Sequence, residues 1–389
     1  MNRNLWAVPL SFLLAMTSTE TAQNTSSGLP PRLERYLTST VRLTADERKR
    51  LSGGAPVTKL LDVDGSKEVA VFGAVWINAP IRRYVEAVKD IENFEQGGGF
   101  KLTKRISAPP RLEDFAALRL PEEDVEDLRS CRVGDCEVKL SAEAIRRLRS
   151  EVNWSAPSAR AGADALMRRL ALEYVTGYLE GGNARLAVYR DNQRPTFVAE
   201  EFRAMIDRMP ELTTLIPEMR RYLLEYPETS LPNSTSFLYW QETDFGLKPT
   251  IRINHLTIRE GLDDTIVASK MLYASHYFWT GLELRVLMPD PSRGPGFWFV
   301  TENCCRSDGL SGFTGTFVRR RVRSEVQAGA LSALQSTKRM LEGSPPAVLW
   351  EGARDPVAYF RPVAAPRGAA RGRAAVWGNP PRVLNLRWR

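Results

Sequence analysis

Histidine is almost missing from this chain: there are two in 389 residues, His255 and His276. Cysteine is scarce as well, with only Cys131, Cys136, Cys304 and Cys305. A zinc centre needs three or four sulfur or nitrogen ligands brought together, so a metal site fits this composition poorly and no cofactor is expected. The sequence also lacks a Gly-x-Ser-x-Gly elbow, a P-loop, a dinucleotide fingerprint, a His-Glu-x-x-His helix and a haem-attachment motif. The enzyme classes that depend on those motifs are thereby excluded. The glycine run at 97–99 has no Lys-Ser or Lys-Thr behind it, so it reads as a loop and not as a phosphate cradle. No segment beyond residue 16 is long and apolar enough for a membrane-spanning helix.

Charge of one sign is scarce except at one end. The formal net charge is +8, but residues 343–389 hold eight arginines against Glu351 and Asp355, so six of the eight charges lie there. The rest of the chain is close to neutral, which argues against nucleic acid as a partner. The Pro/Arg-rich tail at 343–389 is expected to be disordered, with membrane-surface or protein contact as its available role. At the other end, Arg3 precedes an apolar run from Leu5 to Met16, followed by small polar residues. Twelve residues are too few to cross a bilayer and match the core of an export signal. Residues 1–23 are therefore expected to be a signal peptide, and the mature protein to be periplasmic or extracellular.

Export permits disulfides. Cys131 and Cys136 flank Gly134-Asp135, a turn signal, so these two are expected to pair. Cys304 and Cys305 are adjacent in an extended stretch, where their side chains must point to opposite faces.

The chain's texture changes along its length. Residues 24–67 read as a linker and a short helix that Thr44 and Glu47 close with a capping box. Glu68–Ile77 is a β-branched and aromatic strand. Asn78 is expected to cap the next helix, with Pro80 in its first turn, and Ile81, Tyr84, Val85, Val88, Ile91 and Phe94 form its apolar stripe. Residues 100–140 are loop-rich and 141–226 read as helical throughout. From Ser236 the pattern is of strands: 237–240, 250–258, 265–286 and 297–301. The element 265–286 is too long for one strand and is expected to turn near Trp279-Thr280-Gly281. Val322, Val326, Ala330, Ala333, Leu334 and Leu341 then stripe a long final helix.

An antiparallel sheet must bury a face, and a long amphipathic helix at the end of the chain is its natural cover. This order, with the segment Val69-Ala-Val-Phe-Gly-Ala-Val-Trp-Ile-Asn-Ala-Pro-Ile-Arg-Arg-Tyr84 and the closing helix 320–342, resembles the START-like, or polyketide-cyclase-like, helix-grip superfamily. The resemblance covers about 69–95 and 236–342. It implies an α+β fold in which a curved antiparallel sheet surrounds a long C-terminal helix, as one domain over 68–342. The mainly helical insertion at 100–235 departs from the family, whose connection there is much shorter. Segments 131–140 and 268–278 also resemble pieces of exported bacterial proteins. The superfamily binds lipids, sterols, polyketides or plant hormones, and a minority are enzymes.

Polar groups set among large apolar ones are what lines a ligand pocket. Along 250–258, Ile251, Ile253, His255 and Thr257 share one face, and Arg252, Asn254, Leu256 and Ile258 the other. Along 268–278, Lys270, Leu272, Ala274, His276 and Phe278 share a face unless a bulge intervenes, with Tyr273 opposite. The candidate ligand-binding residues are Tyr239, Trp240, His255, Lys270, Tyr273, His276 and Arg306. His255 and His276 are also the candidate catalytic bases. Arg306 and Asp308 read as a turn brace, with carboxylate binding by Arg306 as the alternative. The expected function is an exported binding protein for an apolar or amphipathic, lipid-like small molecule. A hydrolase or cyclase with a histidine base is the second reading, and an envelope protein-interaction module the third.

Overall fold

The computed structural model describes residues 28–343, except 98, 210, 211, 213–215, 245–247 and 309–314, and except the side chains of 315–321. The expected signal peptide, Gly309 and nearly all of the basic tail lie outside the described residues. Among those residues the chain is α+β, with ten α-helices and one open sheet of eight strands, all paired antiparallel.

The sheet strands are β1 (Val57–Leu60), β2 (Glu68–Ile77), β3 (Phe100–Arg105), β6 (Ser234–Thr243), β7 (Thr250–Glu260), β8 (Thr265–Ala274), β9 (Phe278–Pro289) and β10 (Phe297–Ser307). Their spatial order is β1-β2-β10-β9-β8-β7-β6-β3. From β6 to β10 the chain is a meander of neighbours, and β10 closes onto β2 with Trp298 opposite Trp76. The sheet thus begins before residue 68, because β1 lies within the segment read as linker and short helix.

Strand β2 explains the layering. All ten of its residues are buried, so its side chains must be covered on both faces. Val69, Val71, Val75 and Ile77 pack with Val326, Ala330, Leu334 and Leu341 of the last helix, α10 (Gly315–Glu342). Each large apolar side chain so buried contributes about 1.5–3 kcal/mol. Gly73 lets the helix approach: a Cβ there would stand 2.9 Å from Leu334 Cδ1. Ala70, Phe72, Ala74 and Trp76 face the other way. They pack against α1 (Pro31–Ser39), α2 (Ala45–Ser52) and the helical insertion. Thr44 and Glu47 form the expected capping box on α2.

Helices α3 (Ile81–Lys89) and α4 (Ile91–Phe94) follow β2 on the α10 side. Asn78 is not the cap of α3. Pro80 occupies that position, and the Asn78 N–H donates instead to Glu342 Oε1 at 2.7 Å, tying down the end of α10. The insertion supplies α5 (Glu122–Ser130), α6 (Ala142–Glu151), α7 (Ala159–Gly181), α8 (Val198–Ile206) and α9 (Pro217–Glu225). They cover the face opposite α10. The stretch 141–226 is not helical throughout: β4 (Val188–Tyr189) and β5 (Thr196–Phe197) make a small ribbon between α7 and α8.

The turn expected near 279–281 falls earlier. β8 ends at Ala274, and Ser275-His276-Tyr277 reverses the chain, with Tyr277 at a positive φ of 60°. The assumed parity also breaks. Ile253 pairs with Tyr273 and Asn254 with Met271, so Leu272 is an extra residue in a bulge. Lys270, Leu272 and Tyr273 therefore face the insertion, whereas Ala274 and Phe278 face α10. His276 leaves the strand altogether. Cys304 and Cys305, in β10, do point to opposite faces.

Candidate functional site

Two buried polar sites lie back to back across the sheet. The first is on the insertion side. His255 of β7 and Lys270 of β8 are cross-strand partners, and both are buried, at 4% and 1% exposure. The insertion closes an aromatic box over them. The Tyr178 hydroxyl lies 3.0 Å from His255 Nδ1, and the Tyr226 ring centroid 4.8 Å from that of the imidazole. The Lys270 ammonium group sits 4.2 Å from the Phe202 ring centroid and 5.4 Å from that of Tyr178. Lys270 Nζ donates to Asn183 Oδ1. Asn183 is held in that orientation because its amide group donates to the Leu223 and Leu224 carbonyls at 2.9 and 2.8 Å. Neighbouring Gly182 has φ +54°, and a Cβ there would collide with the Tyr226 carbonyl. Only glycine permits this closure of the box.

Electrostatics follow from burial. Desolvation brings Lys270 down to about 7. Burial, with Lys270 adding to it, brings His255 down to about 3, so the imidazole is neutral. Burial raises Tyr178 well above its ordinary value, and its protonated hydroxyl can donate to Nδ1, leaving the ring proton on Nε2.

The second site is on the α10 side. Tyr239 of β6 shares a hydrogen bond with Ser269 of β8 at 2.9 Å. Gln241 donates to Glu95 at 2.5 Å and accepts from Asn254 at 3.1 Å. Arg285 donates to Glu283 at 2.5 Å, and Arg252 lies 3.8 Å from the same carboxylate. Beside these groups is a hollow of about 40 Å³, whose lining mixes Arg252, Asn254, Ser269, Glu283 and Asn303 with apolar residues of β2, β8 and β9 and with Val326 of α10. That volume suits water-sized occupants.

The other candidate residues are placed elsewhere. Trp240 is on the insertion side, with its indole N–H donated to the Asp114 carbonyl at 2.9 Å and its ring stacked on Phe115. Tyr273 packs edge-on against Tyr174 and Tyr189. His276 bonds Asp124 Oδ1 through Nε2 at 2.8 Å and the Glu137 carbonyl through Nδ1 at 3.2 Å. Asp124 is wholly buried, and the pair fastens α5 to the β8–β9 turn. Close by, Cys131 and Cys136 are disulfide-bonded. Arg306 does not brace Asp308: it pairs with Glu68 at 3.3 Å and Glu201 at 2.8 Å, while Asp308 pairs with Lys139. Burial holds Glu68 at about 7 despite Arg306.

His255 and Lys270 thus come together, Tyr239 lies behind them on the opposite face, and His276 and Arg306 stand apart. The residues that complete the first site, Tyr178, Asn183, Phe202 and Tyr226, come from the insertion, and strand parity carries no information about them. Those of the second had a readable signal: Glu283 and Arg285 are charges inside an otherwise apolar strand. No family model matches the chain, and no curated protein matches it.

Proposed function

We propose that the chain is an exported START-like, helix-grip protein that holds an amphipathic small molecule between the sheet and α10. The polar floor of the second site carries this reading. Buried ionised groups contribute little to stability on their own, and well-packed apolar replacements of them are often neutral or stabilising. Here Arg252, Asn254, Ser269, Glu283 and Asn303 converge on one hollow under an apolar helix stripe, the combination expected of a ligand site. The element order supports the same reading, with a strand, two short helices, a meander and a long final helix lying on the sheet. The Cys131–Cys136 disulfide fits an oxidising compartment. The hollow holds only water-sized volume, so a larger ligand enters by displacing α10 from β2.

The test is native mass spectrometry of the protein purified from its own host, with Val326→Trp as control. A co-purified apolar or amphipathic mass in the wild type, absent from a folded V326W, is expected. A bare wild-type mass that remains bare after incubation with mixed fatty acids and lysophospholipids refutes the reading.

A further inference from the structure

We propose that Lys270 is a reactive amine, a covalent site for a small aldehyde or ketone approaching from the insertion side past Asn183. This stands apart from the α10-side ligand site, which lies across the sheet. Lys270 and Lys139 make the argument together. Both are buried, at 1% and 4% exposure. Lys139 is gripped by Asp191, at 3.1 Å, and by Asp308, and these carboxylates keep it charged by raising its pKa. Lys270 has no carboxylate within ion-pairing distance among the described residues. Its surroundings are the faces of Phe202 and Tyr178, the Asn183 carbonyl and the neutral His255. A low-dielectric box without a counter-ion favours the free base, which is the nucleophilic form of an amine. The titratable groups of the box are His255 and Tyr178, with Tyr222 and Tyr226 packed on the His255 ring, none of them anionic at neutral pH. Asn183, the side chain in contact with the buried amine, is itself only half-buried, so on that side the amine is covered by one side chain that reaches solvent.

The chemistry is a condensation. The Nζ lone pair attacks the carbonyl carbon and forms the C–N bond, while the C=O π pair moves to oxygen. Transfer of a proton from nitrogen to that oxygen gives a carbinolamine. The nitrogen lone pair then expels the hydroxyl group, which takes a proton and departs as water, leaving the imine. Amine and carbonyl give imine and water, with no change of oxidation state.

The experiment treats full-length protein at neutral pH with propanal and sodium cyanoborohydride, which reduces the imine to a stable propylamine. Peptide mass mapping then follows each lysine over time. Lys270 is expected to be propylated about tenfold faster or more than the half-exposed Lys89 and Lys101, since the reactive fraction of an ordinary lysine is small at this pH. That preference should vanish in urea, and Asn183→Ala should react at least as fast as the wild type. Lys270 left unmodified, modified no faster than Lys89, modified only in N183A, or still preferred in urea overturns the proposal.

Discussion

Replacing Lys270 with methionine should stabilise the protein at neutral pH and remove a specific pH dependence. An amine brought from its ordinary 10.5 to about 7 by burial carries a desolvation cost of about 5 kcal/mol when charged. That figure is already net of what the Phe202 and Tyr178 faces return, and it is the amount recovered as pH rises from about 7 to 10.5. The sign follows from proton counting. The folded-state pKa is depressed, so between about 7 and 10.5 the unfolded chain keeps a proton that the native state has lost. Stability therefore rises with pH through that window, and the penalty is fully present below it.

Methionine has nearly the shape of the lysine stem and no charge. Lys270→Met should thus exceed the wild type by about 4 kcal/mol near pH 6, about 5 from the relieved charge less about 1 for the lost Asn183 hydrogen bond. The gap should close toward pH 10 as the wild-type amine deprotonates. Because the hydrogen-bond loss applies at every pH, the wild type should be the more stable by up to about 1 kcal/mol above about pH 10. Urea unfolding of both proteins across that range reads the difference directly, and subtraction cancels the tyrosines and exposed lysines common to the two. A wild-type-minus-variant difference that stays flat from about pH 6 to pH 10 refutes the claim that Lys270 sits uncompensated in the box.

Gly73→Leu drives a side chain into Leu334 and Thr301, whose atoms already lie 2.9 and 3.0 Å from an ideal Cβ. It should lower stability by about 3 kcal/mol or more and raise protease sensitivity around α10, as read by urea unfolding and limited proteolysis. Asp124→Asn removes the carboxylate that His276 bonds at 2.8 Å and should cost about 2–4 kcal/mol in thermal or urea unfolding.

How much of this was legible beforehand differs by element. Periodicity located β2, α10 and the strands from 236 onward, because their apolar residues obey a single period over many positions. The Cys131–Cys136 bridge followed from a turn and a short loop. What failed was local. The Leu272 bulge adds one residue, and one residue inverts every face assignment after it. The turn lands at 275–277, where Asp124 and the Glu137 carbonyl, both remote in sequence, hold His276. Asn78 has a good capping side chain, yet Pro80 fixes the helix start two residues later. Scarcity and strand pattern single out His255 and Lys270, which the structure brings together, but carry no information about Tyr178, Asn183 or Tyr226, which reach the box only through tertiary packing.

The two proposed sites stand on opposite faces of the same sheet. A sheet covered on one side only would bring ligand recognition and any reactive amine into the same cavity. Here the insertion covers the second face, so His255 and Lys270 point away from Arg252, Asn254 and Ser269 although they stand on the same two strands. Residues on opposite faces of one strand share backbone but not partners, and their mutational effects add unless the strand itself shifts. Val326→Trp should thus abolish occupancy under α10 and leave Lys270 alkylation unchanged, whereas Lys270→Met should abolish alkylation and leave occupancy intact. Measured together in the double variant, the two losses should be additive. Cross-inhibition would mean that β7 and β8 move as a unit when either face is disturbed, and that the two sites are coupled through the sheet.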